Sequence, residues 1–122
     1  AMRLLFGLAV VLASGLAVNA AQPYDEASFK EAQAAGKTVL INVTASWCPT
    51  CKKQEPTIKA VEKERPNLVV YDVDFDTAKD VLQRLKVRAQ STLIVYKGPK
   101  EVARSTAETD PGHLRAMIAK GF

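Results

Sequence analysis

The sequence has few cysteines and histidines, the residues that form zinc sites and structural disulfides. Its 122 residues include two cysteines and one histidine. Zinc and iron–sulfur sites usually need four strong ligands, so the cysteines of one chain cannot complete such a site alone. A single stabilising disulfide is the simplest use of two cysteines, but only Pro49 and Thr50 separate Cys48 from Cys51. Closing so short a loop restricts the unfolded chain by about 2 kcal/mol in the chain-entropy model, which makes a redox couple the better explanation.

The chain also lacks a block of charge of one sign, an internal repeat, a low-complexity tract and an interdomain linker. Its formal net charge is +4, and its acidic and basic residues are interspersed. This pattern is typical of a solvated surface and argues against a nucleic-acid partner. The length suits one globular domain with a single core.

The one long apolar stretch lies at the start of the sequence. Arg3 provides a short positive segment, the stretch from Leu4 to Val18 is mostly apolar, and small residues follow at Ala20 and Ala21. We therefore predict a cleaved signal peptide over residues 1–21, a domain over residues 22–122, and a periplasmic or otherwise exported location. An uncleaved membrane anchor is the alternative, but the stretch is shorter than the ~20 residues of a spanning helix, and no polar stop-transfer cluster follows it.

Helical and extended patterns alternate through the rest of the chain. The spacing of apolar residues predicts helices over 24–35 and 51–64, a helix capped by Thr77, and a last helix opened by Asp110 and Pro111. Strands are predicted over 38–44, 68–74, 92–96 and 101–106, the last as an antiparallel edge. Alternating strands and helices predict an α/β fold with parallel crossover units.

The cysteine pair falls where a buried strand passes into a helix. At a helix N-terminus, unpaired N–H groups and the helix dipole favour a thiolate, so we expect the pKa of the Cys48 thiol to fall. Cys51, one turn later and expected to be more enclosed, is placed to resolve a mixed disulfide. Lys52 and Lys53 add positive charge nearby, or simply form a solvated helix face.

The segment ASWCPTCK at residues 45–52, followed by Pro56, resembles the active-site segment of the thioredoxin family. The similarity extends from about residue 24 to residue 120. It implies a thioredoxin fold with a central mixed sheet flanked by helices. It also implies thiol–disulfide oxidoreductase activity on proteins with cysteines or disulfides, with no cofactor and with a membrane protein as a candidate electron donor.

Carried over by residue, the resemblance makes Cys48 the nucleophile, Cys51 the resolving cysteine, and Trp47 the aromatic residue that covers the site. The alternative for Trp47 is an ordinary core aromatic. Pro49 and Thr50 lie between the cysteines, where residues tune the reduction potential.

Two positions depart from the family pattern. Asn42 stands where reducing thioredoxins carry a buried aspartate, and an amide cannot accept its proton. In the substrate loop formed by Gln90, Ser91 and Thr92, Ser91 replaces the family's cis-proline. A cis bond before serine costs about 3–4 kcal/mol, so we expect a trans Gln90–Ser91 bond.

These departures leave two alternatives to an oxidoreductase. One is a thiolate metal or metal-cluster protein with a site shared by two molecules, and the other is a redox-inactive module that holds peptides.

We expect a monomer, with a dimer as the alternative. His113 is expected on the surface, and Asp72, Asp74 and Asp76 are expected to be solvated.

Overall fold

A computed structural model describes residues 20–122 of the chain. The predicted signal peptide therefore lies outside the described residues except for Ala20 and Ala21, which are exposed. Within the described part, no helix has the length and apolar character needed to cross a membrane.

Five strands form one mixed sheet. They are β1 (Gln22–Pro23), β2 (Thr38–Thr44), β3 (Leu68–Asp74), β4 (Thr92–Lys97) and β5 (Lys100–Thr106), in the spatial order β1-β3-β2-β4-β5. The three strands β1, β3 and β2 are parallel, whereas β4 runs antiparallel to β2 and to β5. The strand β2 is central and paired along both edges, which agrees with its nearly continuous apolar sequence.

Four helices cover the sheet: α1 (Glu26–Ala34), α2 (Pro49–Glu64), α3 (Lys79–Leu85) and α4 (Pro111–Ala119). Aspartate side chains cap the starts of two of them. The Asp25 carboxylate accepts a hydrogen bond from the Ser28 N–H at 2.8 Å, and the Asp110 carboxylate accepts one from the His113 N–H at 2.9 Å.

The sheet separates two apolar layers because successive side chains of a strand point to opposite faces. In the central strand, Val39 and Ile41 join the layer of α1 and α3 with Phe29, while Leu40 joins the layer of α2 and α4 with Leu114. All five side chains are at most 4% exposed. The α/β thioredoxin fold with a mixed central sheet is thus confirmed.

Several boundaries differ from those predicted. The first helix begins at Glu26 rather than residue 24, and Tyr24 instead packs its ring against Phe29 at 5.4 Å. The second begins at Pro49 rather than residue 51, because Cys48 is its N-cap. Thr77 was predicted to cap α3, which is wrong: Ala78 is the N-cap, and no side chain caps this helix.

Candidate active site

The two cysteines lie at the start of α2, directly beyond the carboxyl end of β2. They form a disulfide whose Cα atoms are 5.3 Å apart. The backbone of Cys48 is extended, with φ −88° and ψ 108°, and its Sγ accepts a hydrogen bond from the Cys51 N–H at 3.0 Å. A sulfur thus takes the place of the usual N-cap oxygen, and the positive end of the helix favours negative charge on it.

The expectation that Cys51 is the more enclosed cysteine is wrong. Cys48 is 0% exposed and Cys51 is 7% exposed. Both cysteines belong to a small apolar cluster with Ala45, and Phe75 packs against this cluster. Only Cys51 also lines a cleft of about 220 Å³, which gives it a small opening to solvent.

Ser91 faces both sulfur atoms from the loop before β4. Its Oγ lies 3.1 Å from the Sγ of Cys48 and 3.3 Å from the Sγ of Cys51. The Gln90–Ser91 bond is trans, as predicted, and no cis peptide bond occurs between residues 20 and 122. Ser91 has φ +66°, a left-handed conformation that non-glycine residues rarely adopt.

Gln90 and Thr92 are the other two residues of the predicted substrate loop. Gln90 is half-buried. Thr92 is buried, and its hydroxyl donates to the Ala89 carbonyl at 2.8 Å and lies 3.0 Å from the Thr106 hydroxyl. Thr92 therefore anchors the loop to the edge strand.

Asn42 borders the same cleft as Cys51, and its partner there is a carboxylate. Its Nδ2 donates to the Asp72 Oδ1 at 3.0 Å across the β2–β3 pair. Burial raises the pKa of Asp72, opposed by the hydrogen bond from Asn42 and by the charge of Lys59. The expectation that Asp72 is solvated is therefore wrong, since the neighbouring strands and α2 enclose it in part.

Trp47 lies on the surface beside the cysteines. Its side chain is 53% exposed, and its Nε1–H donates to the Asp76 Oδ2 at 2.8 Å. The alternative of an ordinary core aromatic is therefore wrong. Pro49 is exposed at the first position of α2, and Thr50 is half-buried.

Gln54 was not singled out from the sequence, yet it links the helix to the loops around the site. It is 0% exposed, and its Nε2 donates to the Ser91 carbonyl at 3.2 Å and to the Glu108 carbonyl at 2.8 Å. Its position one turn after Cys51, on the side that carries Ile58, was the available signal. His113 does not join the site; its imidazole lies beside Glu108 on the surface.

The protein has a buried disulfide on the first helical turn after a central strand, and together with its relatives this makes it a thiol–disulfide oxidoreductase. The family model described as Thioredoxin matches residues 20–120. A thioredoxin from Chlamydia trachomatis is 33% identical over 99 residues, which cover 81% of this chain and 96% of that protein. A thioredoxin H-type from Fagopyrum esculentum is 34% identical over 89 residues, 73% of this chain and 76% of that protein.

Among solved structures, Trxlp from Edwardsiella tarda has a TM-score of 0.77 and 42% sequence identity. That likeness covers 81% of this chain and 98% of the other. The chain belongs to the thioredoxin family.

Proposed function

We propose that this thioredoxin-family protein reduces disulfides of exported proteins in the cell envelope and is itself re-reduced by a membrane electron donor. The proposed location is supported by the positive and apolar pattern from Arg3 to Val18, which precedes the redox domain. The reducing direction is supported by the Trp-Cys-x-x-Cys-Lys sequence at residues 47–52, which resembles that of reducing thioredoxins.

In this proposal, the Cys48 thiolate attacks one sulfur of a substrate disulfide. A mixed disulfide forms, and the other substrate sulfur leaves as a thiolate. Cys51 gives its proton to the released substrate thiolate, directly or through water. The Cys51 thiolate then attacks the Cys48 Sγ; the Cys48–Cys51 bond forms and the second substrate sulfur leaves with its electron pair. The substrate gains two electrons and the protein loses two.

Insulin reduction by the purified full chain tests the activity. Cys48→Ser is expected to abolish turnover, and Cys51→Ser is expected to stop at a mixed disulfide that mass spectrometry detects. Equal rates of insulin reduction for the wild type and Cys48→Ser would contradict the assignment of Cys48 as the nucleophile. The reduction potential tests the direction: a value near the thioredoxin figure of about −270 mV supports a reductase, and one near −120 mV an oxidant.

The location is tested separately by expressing the full chain with a C-terminal tag and fractionating the cells. We expect the protein in the periplasmic fraction, with a mass that corresponds to cleavage after Ala20 or Ala21. The variant Leu8→Arg, which interrupts the apolar stretch, is expected to stay in the cytoplasm at full length. A wild-type protein of full length in the cytoplasm would contradict the proposed location without affecting the activity.

In the metal-binding alternative, a site with four strong ligands would require a second molecule. Across residues 20–122, no three His, Cys, Asp or Glu side chains lie together in an arrangement that could hold a metal ion. Metal analysis and size-exclusion chromatography after anaerobic purification test this alternative. Stoichiometric metal in a dimer would favour it over the oxidoreductase.

A further inference from the structure

We propose that the Ser91 hydroxyl is a catalytic hydrogen-bond donor that serves both cysteines, donating to whichever of the two sulfurs is the thiolate at each stage of the reaction. The proposal rests on the redox activity of the Cys48–Cys51 pair and does not depend on the proposed location or substrates. Its basis is the position of the hydroxyl oxygen, which lies 3.1 Å from one sulfur and 3.3 Å from the other.

In the disulfide, the hydroxyl must be the donor. A sulfur in a disulfide carries no hydrogen, so the only hydrogen available to either contact belongs to Ser91 Oγ. A hydroxyl has one hydrogen and can donate to one sulfur at a time. Its nearly equal distances to Cys48 and Cys51 let a small rotation of the side chain choose between them.

The backbone holds Ser91 in this place from both ends. Its N–H donates to the Val43 carbonyl at 2.9 Å, and its carbonyl accepts from the Ala107 N–H at 3.1 Å and from Gln54 at 3.2 Å. The residue is 1% exposed. Because the backbone is fixed and water is largely excluded, the hydroxyl is preorganised toward the sulfurs, and the contact is stronger than it would be in water.

Each attacking thiolate of the reduction is a sulfur that Ser91 contacts. Before attack on a substrate, the reduced protein carries the Cys48 thiolate, which receives the hydrogen bond. The attack moves that charge to the departing substrate sulfur. Cys51 then gives its proton to this substrate thiolate, directly or through water, and the resulting Cys51 thiolate receives the hydrogen bond. In the reverse direction a substrate thiolate attacks Cys48, the Cys48–Cys51 bond breaks, and Cys51 leaves with the electron pair while Ser91 donates to it.

A hydrogen bond to a charged acceptor is stronger than one to a neutral acceptor. Ser91 therefore favours the thiolate over both the thiol and the disulfide. Removal of the hydroxyl is expected to raise the pKa of the Cys48 thiol and to shift the glutathione equilibrium toward the disulfide, each by about tenfold in the equilibrium constant.

The test is titration of the Cys48 thiolate in the reduced full chain, by ultraviolet absorbance and by the pH dependence of alkylation. Ser91→Ala and Ser91→Gly both remove the hydroxyl, and glycine also adopts φ +66° without strain. If both variants show the raised pKa, the effect follows the hydroxyl and not the backbone. Lys52, Glu55 and Asp72, the charged groups around the adjoining cleft, are the same in every variant.

Ser105→Ala is the matched control. The Ser105 hydroxyl also donates to a sulfur, the Met117 Sδ at 3.2 Å, but this contact lies between β5 and α4. We expect the Cys48 pKa and the glutathione equilibrium of Ser105→Ala to match those of the wild-type protein. A wild-type Cys48 pKa in either folded Ser91 variant would overturn the proposal, as would an equal shift in Ser105→Ala; if Ser91→Ala does not fold, Ser91→Gly alone decides.

Discussion

Near the cysteines, the fold shifts the pKa of the Asp72 carboxyl group. Burial raises its pKa, and the hydrogen bond from Asn42 only partly offsets that effect. The folded state therefore binds a proton more tightly than the unfolded chain does. In consequence, the contribution of this group to stability falls as the pH rises through and above the unfolded value of about 3.9.

Asp72→Asn is expected to raise the free energy of unfolding at neutral pH, because it removes a partly buried charge and keeps an oxygen that can accept from Asn42. The gain should disappear as the pH falls well below about 3.9, where the wild-type carboxyl is protonated in both states. Urea unfolding of both proteins across this range measures the difference. Asp80→Asn is the control: Asp80 is an exposed carboxylate in the first turn of α3 that pairs with Arg84, so its loss should cost no more than about 1 kcal/mol. A variant less stable than wild type at neutral pH would contradict this prediction.

The buried side chain of Gln54 is expected to stabilise the domain through its hydrogen bonds. Gln54→Ala removes the donor that reaches the carbonyls of Ser91 and Glu108 and opens space inside the domain. We expect a loss of about 1–3 kcal/mol in the free energy of unfolding, because the Glu108 carbonyl loses a hydrogen bond within the fold. Gln83→Ala, at an exposed glutamine on α3, should stay within about 0.5 kcal/mol of wild type. Equal stability of the two variants in urea would show that the Gln54 bridge contributes nothing.

Among the elements, α3 shows where local sequence signals mislead. Thr77 is a good capping residue, but the helix begins one residue later than a Thr77 cap requires, and Ala78 is its N-cap. Ala78 also packs against the apolar layer under α1 and α3. Packing of this segment therefore decides where the helix starts, and the cap position is left without a side-chain acceptor.

Ala78→Ser is expected to raise the free energy of unfolding by about 0.5–1 kcal/mol, because a serine at the N-cap can accept a hydrogen bond from the first turn. Thr77→Ala is the matched variant and should leave stability within about 0.5 kcal/mol, since Thr77 does not cap the helix. Thermal unfolding of both variants measures the effect. If Thr77→Ala lowered the thermal stability and Ala78→Ser did not raise it, Thr77 would be the residue that caps α3.

The sequence predicts the central elements well because their signals are strong. The β-branched run at Thr38–Thr44 and the apolar run at Leu68–Asp74 are strands with the predicted bounds. The strand Gln22–Pro23 was missed because two residues that include a proline carry no periodic pattern. It is specified by pairing with Tyr71 and Asp72, which a local pattern does not contain.

Local sequence patterns predict only part of the active site as well. The spacing of Cys48 and Cys51 is a local signal and identifies the redox pair. Contacts between segments distant in the chain are not encoded in a local pattern. The resemblance places Ser91 at the position that faces the cysteines. The hydrogen bond from Asn42 to Asp72 and the contacts of the Ser91 hydroxyl with both sulfurs depend on the folded arrangement, so they appear only in the structure.

For the whole molecule, the shared sheet should make the two apolar layers unfold together. Strand β2 contributes Ile41 to one layer and Leu40 to the other, so neither layer can be lost while the sheet remains intact. Trp47, the only tryptophan, lies at the active site and reports on that end of the domain by fluorescence. Far-ultraviolet circular dichroism reports on all the helices.

Leu114→Ala in the layer of α2 and α4, where the side chain is 0% exposed, is expected to cost about 2–5 kcal/mol. Fluorescence and circular dichroism should still give coincident urea transitions, both moved to lower urea. Arg115→Ala, at the adjacent exposed position paired with Glu64, should cost no more than about 1 kcal/mol. Separate transitions for the two probes in Leu114→Ala would show that the layers unfold independently, and the sheet would then not couple them.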